Sequence, residues 1–109
     1  MTQAQLQATL DTSGYPTVYG SFKEPKQPPY VVFIRPSADT VSSDGKVHGK
    51  FQNYIVELYT KQKDLAAEKK LEDIVGEIDP EYETLEVYID TEKMYQVTYS
   101  ITIFEKVGQ

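Results

Sequence analysis

The chain has 109 residues, 39% of them hydrophobic and none of them cysteine. That is the size of one domain with one core, and it excludes disulfides, thiolate nucleophiles and cysteine-held zinc. The formal charge of −6 argues against a grip on nucleic acid, whose affinity depends on neutralising phosphates.

Thr2 and Gln5 have capping-box spacing, and Leu6 and Leu10 follow one turn apart, which predicts a short helix over residues 3–10 ended by Thr12-Ser13-Gly14. Residues 15–29 carry Pro16, Gly20, Pro25, Pro28 and Pro29 and read as an irregular connection. Residues 30–34, Tyr-Val-Val-Phe-Ile, form a continuous β-branched and aromatic run that stops at Pro36. Such a run suits a strand covered on both faces.

Residues 37–50 are polar, and Asp44-Gly45 predicts the turn of a hairpin there. In residues 51–60, Tyr54, Val56 and Leu58 share one face while Ile55 and Tyr59 keep the other partly apolar, the pattern of an inner strand. Asp64 is placed to cap a helix whose apolar stripe is Ala67, Leu71, Ile74, Val75 and Ile78. Lys69, Lys70, Glu72 and Asp73 fall on its wet side, and Gly76 and Pro80 end it.

Leu85, Val87 and Ile89 next alternate with Glu86, Tyr88 and Asp90. A turn near residues 90–92 leads to the longest predicted strand, residues 94–105. There Tyr95, Val97, Tyr99, Ile101 and Ile103 line one face, and Gln96, Thr98, Ser100 and Thr102 the other. The helix stripe is the natural cover for that apolar row, which at ~1.5–3 kcal/mol per fully buried side chain is a large part of the core. Nine tyrosines with no tryptophan fit a sheet-rich chain. The expected class is α+β: a mainly antiparallel sheet of about four strands plus a hairpin, with helices on one face, in a single domain over residues 1–109.

Chemistry is hard to find. His48 is the one histidine and stands in the polar hairpin, with no serine in a nucleophile-elbow context to partner it. The run from Asp39 to Gly45 departs from a calcium loop at its third position, Val41, and in the place of its glycine. No phosphate-cradling glycine motif is present. Glu77, Asp79, Glu81, Glu83, Glu86, Asp90 and Glu92 put seven acids in sixteen residues, a pattern simpler as a solvated rim than as acid–base pairs. We therefore assign no catalytic, cofactor-binding or metal-binding residue and expect no enzyme. The opening Met-Thr-Gln-Ala-Gln-Leu lacks the basic segment of a signal peptide, and no apolar stretch nears the roughly 20 residues that span a bilayer. A soluble chain used in a cytoplasm is expected, with no membrane partner.

Three stretches carry a resemblance: "YPTVYGSFKEPKQPPYVVFIRP", "DGKVHGKFQNYIVELYTKQKDLAAEKKLEDIV" and "VYIDTEKMYQVTYSITI". In order and texture they resemble the tail-completion family of siphophages, the tail terminator or tail-to-head joining proteins also found in prophages of Gram-positive bacteria. The specific parts are Lys-Phe-Gln-Asn-Tyr-x-Val-Glu-Leu-Tyr-Thr, the Glu-Lys-Lys-Leu-Glu helix and Glu-Lys-Met-Tyr-Gln-Val-Thr-Tyr. With the Pro-Pro-Tyr-x-Val segment they cover nearly all of residues 15–104. Residues 77–84 and the first helix add little.

The resemblance implies a virion structural protein, assembled in the host cytoplasm, that sits as a hexameric ring on the head-proximal end of the tail tube. Its partners would be further copies of itself, the tail tube protein and the head connector or adaptor, with DNA passing through unbound. A head-tail adaptor or other neck protein is the alternative, and a prophage host-interaction module a more distant one. In a ring-forming subunit the polar hairpin becomes an arm. Residues 23–50 hold five basic against three acidic side chains, whereas residues 51–109 hold six lysines against thirteen acids. The candidate assembly interface is accordingly Asp44, Gly45, Lys46, His48 and Lys50 on the arm, with Glu83, Glu86, Asp90 and Glu92 as the complementary acidic rim.

Overall fold

The computed structural model describes residues 1–107. In chain order the elements are α1 (Gln3–Asp11), β1 (Thr17–Tyr19), β2 (Tyr30–Ser43), β3 (Lys46–Thr60), α2 (Leu65–Ile78), β4 (Glu83–Ile89) and β5 (Met94–Lys106). The strands form one sheet in the order β1-β2-β3-β5-β4. It is antiparallel except at β1, which runs parallel to β2. The fold is α+β, with five strands and two helices.

Both helices begin where the sequence puts them. Thr2 and Gln5 exchange the two capping-box bonds at α1. The Asp64 carboxylate accepts from Ala67 N at 3.0 Å at the start of α2. Leu6 and Leu10 of α1 and Ala67, Leu71 and Val75 of α2 are buried in one cluster with Val31, Phe33, Tyr54, Val56, Leu58, Val97, Tyr99, Ile101 and Ile103. Alternate residues of β2, β3 and β5 thus meet the helix stripes, as the period-two and period-3.6 patterns require. Glu68 is buried among them, although it sits beside the wet-side residues in sequence. Lys63 Nζ donates to Glu68 Oε1 at 2.8 Å, with Oε2 equally near but outside hydrogen-bond geometry, and also pairs with Glu86.

Three sequence expectations need correction. Residues 15–29 are not wholly irregular, since Thr17-Val18-Tyr19 between Pro16 and Gly20 pairs with Val31, Val32 and Phe33. Pro36 does not end β2. Its missing N–H is tolerated because β1 stops opposite Phe33, leaving β2 an edge strand, and a bulge lies between Ile34 and Ser37. The polar hairpin does turn at Asp44-Gly45 as expected, and its arms are the far ends of β2 and β3, with Gly49 and Lys50 also pairing with β5. Finally, the run at residues 30–34 is covered on only part of its second face. There Val32 is buried beneath the loop of residues 20–29, whose Phe22 meets Tyr30 edge-on, while Ile34 is half-buried.

The strands are unequal in length, and this shapes the molecule. β1 pairs no further than Phe33 and β4 no further than Ser100. Past those points β2, β3 and β5 continue alone as a three-stranded tongue, along a molecule 52 Å in its longest dimension. The five-stranded body tapers to three strands.

Candidate assembly interface

At the tip of the tongue, Ser43 pairs with Lys46 across Asp44 and Gly45. Both turn residues have positive φ, 51° and 74°, as a two-residue hairpin turn that follows the twist of its strands requires. Lys46, His48 and Lys50 follow on β3 and are exposed. His48 Nε2 lies 2.7 Å from Ser43 Oγ. The pair stands on an exposed hairpin, and among the described residues no third side chain is hydrogen-bonded to the ring.

The acidic residues are not brought together as one rim. Glu83 opens β4 opposite Ser100, near the base of the tongue. Glu86 is tied to the body through Lys63. Asp90, 3.4 Å from Lys93 Nζ, lies in the β4–β5 turn at the end of the sheet remote from the hairpin tip, and Glu92 is there too. Asp79 has the most defined position of the group. Its Oδ2 accepts from Thr102 N at 2.8 Å and its Oδ1 from Glu81 N at 3.0 Å. It thereby satisfies the β5 amide just past the point where β4 ends.

A polar row crosses the tongue where sequence reasoning assigned nothing. Arg35 Nη1 donates to Gln52 Oε1 at 2.9 Å, and Gln52 Nε2 donates to Glu105 Oε2 at 3.0 Å. Gln52 is buried, being only 4% exposed, and spends both ends of its amide on this bridge, as a buried amide must. Arg35 stands on the β2 side and Glu105 on the β5 side. The signal was present in the alternation: Gln52 occupies the buried phase of Tyr54, Val56 and Leu58.

The sheet face opposite the helices is only partly covered. Leu85 and Val87 point there, since they pair with Thr98 and Gln96, and Leu85 is 66% exposed. The β4 alternation is real, but its apolar row faces away from the helices. On the same face Phe51 and Phe104 pack with ring centroids 5.1 Å apart, and Tyr30 stacks on Tyr59 at 4.9 Å.

Tyr59, Glu57 and Glu92 line a recess of about 470 Å³ under the loop of residues 20–29. Burial, and then the Glu57 carboxylate, push the Tyr59 hydroxyl up to about 12. Burial also raises Glu57 above its ordinary 4.5, partly offset by hydrogen bonds from Tyr59 and Gln96. The folded state therefore keeps a proton on Glu57 that the unfolded chain has already released, and stability falls as pH rises from 4.5 through the folded value. Glu57→Gln should raise the melting temperature by about a degree or more at pH 7 and leave it unchanged below pH ~4. Equal melting of the two chains across that range would show that Glu57 is not held against its charge.

Among the described residues, no three His, Asp or Glu side chains are placed to hold a metal ion, and no helix is long and apolar enough to cross a membrane.

No protein-family model matches the chain, and no curated protein matches it in sequence. In three dimensions it is similar to a chain of the virion of a native gene transfer agent particle, with a TM-score of 0.66 and 10% identity. The match covers 95% of this chain and 86% of that one. At that identity the likeness is one of fold.

Proposed function

We propose that this chain is a structural protein of a phage-like particle, forming a ring on the head-proximal end of the tail tube. The ring ends tube polymerisation and gives the head connector its docking surface. The observation that carries this reading is the fold, similar over nearly its whole length to a chain that belongs to an assembled virion. The sequence resemblance to tail-completion proteins supports the narrower role. So does the shape, a five-stranded body with a projecting tongue whose named residues are exposed. The partners are further copies of the chain, the tail tube protein and the head connector or adaptor. DNA passes through without being held, consistent with the acidic balance.

Deletion of the gene from a lysogen tests the reading by electron microscopy. Filled heads and unattached tails should accumulate side by side, with some tails running past normal length. Purified protein added to that lysate should restore infectious particles, because docking is a binding event. Heads that leak DNA beside capped tails of uniform length would assign the chain to the neck as an adaptor. Normal infectious particles would remove a structural role and revive a host-directed module.

A further inference from the structure

The sheet face turned away from the helices carries two features that the subunit does not use internally. On the body, Leu85 and Val87 of β4 stand exposed there, with Glu57 of β3 level with Leu85 across Thr98. On the tongue, Phe51 and Phe104 pair on the same face and are also exposed. Gly49 shares that face, since a β-carbon on it would run into the Phe104 ring. Val41 pairs with Gly49, and Ser43, two residues on, pairs with Lys46. Side chains alternate along a strand, so Lys46 stands on this face at the tip, near His48, whose ring meets Ser43. Exposed apolar side chains grouped on one face and rimmed by charge mark a surface that meets a partner.

The two features complement each other. The tongue offers an aromatic pair with a lysine ahead of it, and the body an aliphatic row with a carboxylate beside it. Glu57 takes hydrogen bonds from Tyr59 and Gln96, but among the described residues no cation forms an ion pair with it. Burial raises its pKa, and a carboxylate held against its charge gains from a cation brought to it. On the tongue, Asp39 is bonded by Asn53 level with Phe51, and Asp44 lies in the turn past the lysine. The spacings agree as well. Glu57 is two strands across from Leu85, roughly 10 Å at the usual strand spacing. Lys46 and Phe51 pair with Ser43 and Asp39, four residues apart, or about 13 Å along the strand. The length of a lysine side chain covers the difference. A tongue that crosses the body from its β4 edge therefore sets its rings on Leu85 and Val87 and its lysine at Glu57 together, as sheets packed face to face across their strands do.

We infer that the open face of the body receives the tongue of a second copy, with Phe51 and Phe104 seated on Leu85 and Val87 and Lys46 beside Glu57. Because the contact joins two different surfaces, it repeats from copy to copy and closes into a ring when the rotation allows. It deepens the ring reading above and rests on it. The apolar contact supplies the adhesion, and the lysine–glutamate contact sets the orientation.

Glu57→Gln separates this contact from a role inside the subunit. The variant should melt above the parent at pH 7, for the reason given with the recess, and yet assemble about tenfold less. Lys46→Glu and Leu85→Ser, both at exposed positions, should weaken assembly to a similar degree while melting with the parent. Cross-linking reads the geometry directly, since the chain has no cysteine of its own. Ser43→Cys at the tip and Thr98→Cys beside Glu57 keep both charged partners. Their levels on β3 are those of Lys46 and Glu57, roughly 30 Å apart, too far for a short bismaleimide to bridge within one chain. In assembled rings of the double variant the reagent should join chain to chain in a ladder that ends at the full ring, and neither single variant should give that ladder. Assembly is read on the purified chain and, in parallel, as the yield of joined heads and tails from particles supplied with it. Circular dichroism checks that each variant folds. Rings that form without the ladder, or a Glu57→Gln chain that assembles like the parent, overturn the seating of the tongue while leaving the ring intact. A parent that forms no ring, alone or on particles, overturns both.

Discussion

Ile101→Asp should melt far below the parent, whereas Thr102→Lys, one residue on, should melt with the parent. Ile101 is 2% exposed in the cluster formed by α1, α2 and the sheet, and it pairs across the strands with Tyr54. A carboxylate there has no cation to meet, and the isoleucine's own burial is lost as well. Together these cost roughly 4–5 kcal/mol, set against a total stability of about 5–15 kcal/mol for a domain of this kind. Thr102 faces the other way and is exposed, and a lysine there is near the Asp79 carboxylate that already takes the Thr102 amide. A change within about 0.5 kcal/mol is expected. Thermal melts by circular dichroism decide it. An Ile101→Asp chain as stable as the parent would mean that β5 presents its other row to the helices, a slip of one residue.

Gly49→Val should cripple assembly while sparing the core. A β-carbon on Gly49 would stand 2.6 Å from Phe104 Cζ and 2.7 Å from the Glu105 carbonyl oxygen. The phenylalanine ring can swing aside, but the carbonyl belongs to the β5 backbone, so β3 and β5 must part at this point. Overpacking of that kind costs about 1–3 kcal/mol. Nearly all of it falls on the tongue, because Gly49 pairs with Lys106 and lies outside the buried cluster. Amide exchange should quicken in residues 46–51 and 103–107 and stay slow in residues 54–58 and 97–101. Ring formation should fall with it. Adding Phe104→Ala should relieve only part of the defect, since the carbonyl remains. Unchanged exchange and assembly in Gly49→Val would show that the strands do not approach so closely.

The body of the fold was readable because its signals are local and repeated. The row Val97, Tyr99, Ile101, Ile103 and the stripe Ala67, Leu71, Val75 each follow one period over several turns, and both are buried as that period dictates. What escaped depends on where strands end relative to their neighbours. Pro36 reads as a stop until β1 is known to finish opposite Phe33. Asp44-Gly45 announced the hairpin but not that its arms continue the strands at residues 30–34 and 51–60. The polar row was missed for a related reason. Arg35, Gln52 and Glu105 lie far apart in sequence, and only the pairing of β2, β3 and β5 sets them in line. Of the residues chosen for assembly, Asp44, Gly45, Lys46, His48 and Lys50 lie on the tongue, while Glu83, Glu86, Asp90 and Glu92 lie along β4 and the turn that follows it.

The strand order β1-β2-β3-β5-β4 also fixes how the chain can fold. β2 with β3 and β4 with β5 are hairpins whose partners are close in sequence, the first turned by two residues and the second by a short loop. The seam between β3 and β5 is different: Thr60 pairs with Tyr95, and Gly49 with Lys106. Closing it must bring together residues separated by the whole of α2 and β4, a slower event than forming either hairpin. The seam runs from Thr60 and Tyr95 in the body to Gly49 and Lys106, short of the hairpin tip, and its end at Thr60 closes the shorter loop, the less costly place to begin. The hairpin of β2 and β3 is thus able to form before β5 docks along it, and the three-stranded part of the tongue is complete only once the β3–β5 seam has closed.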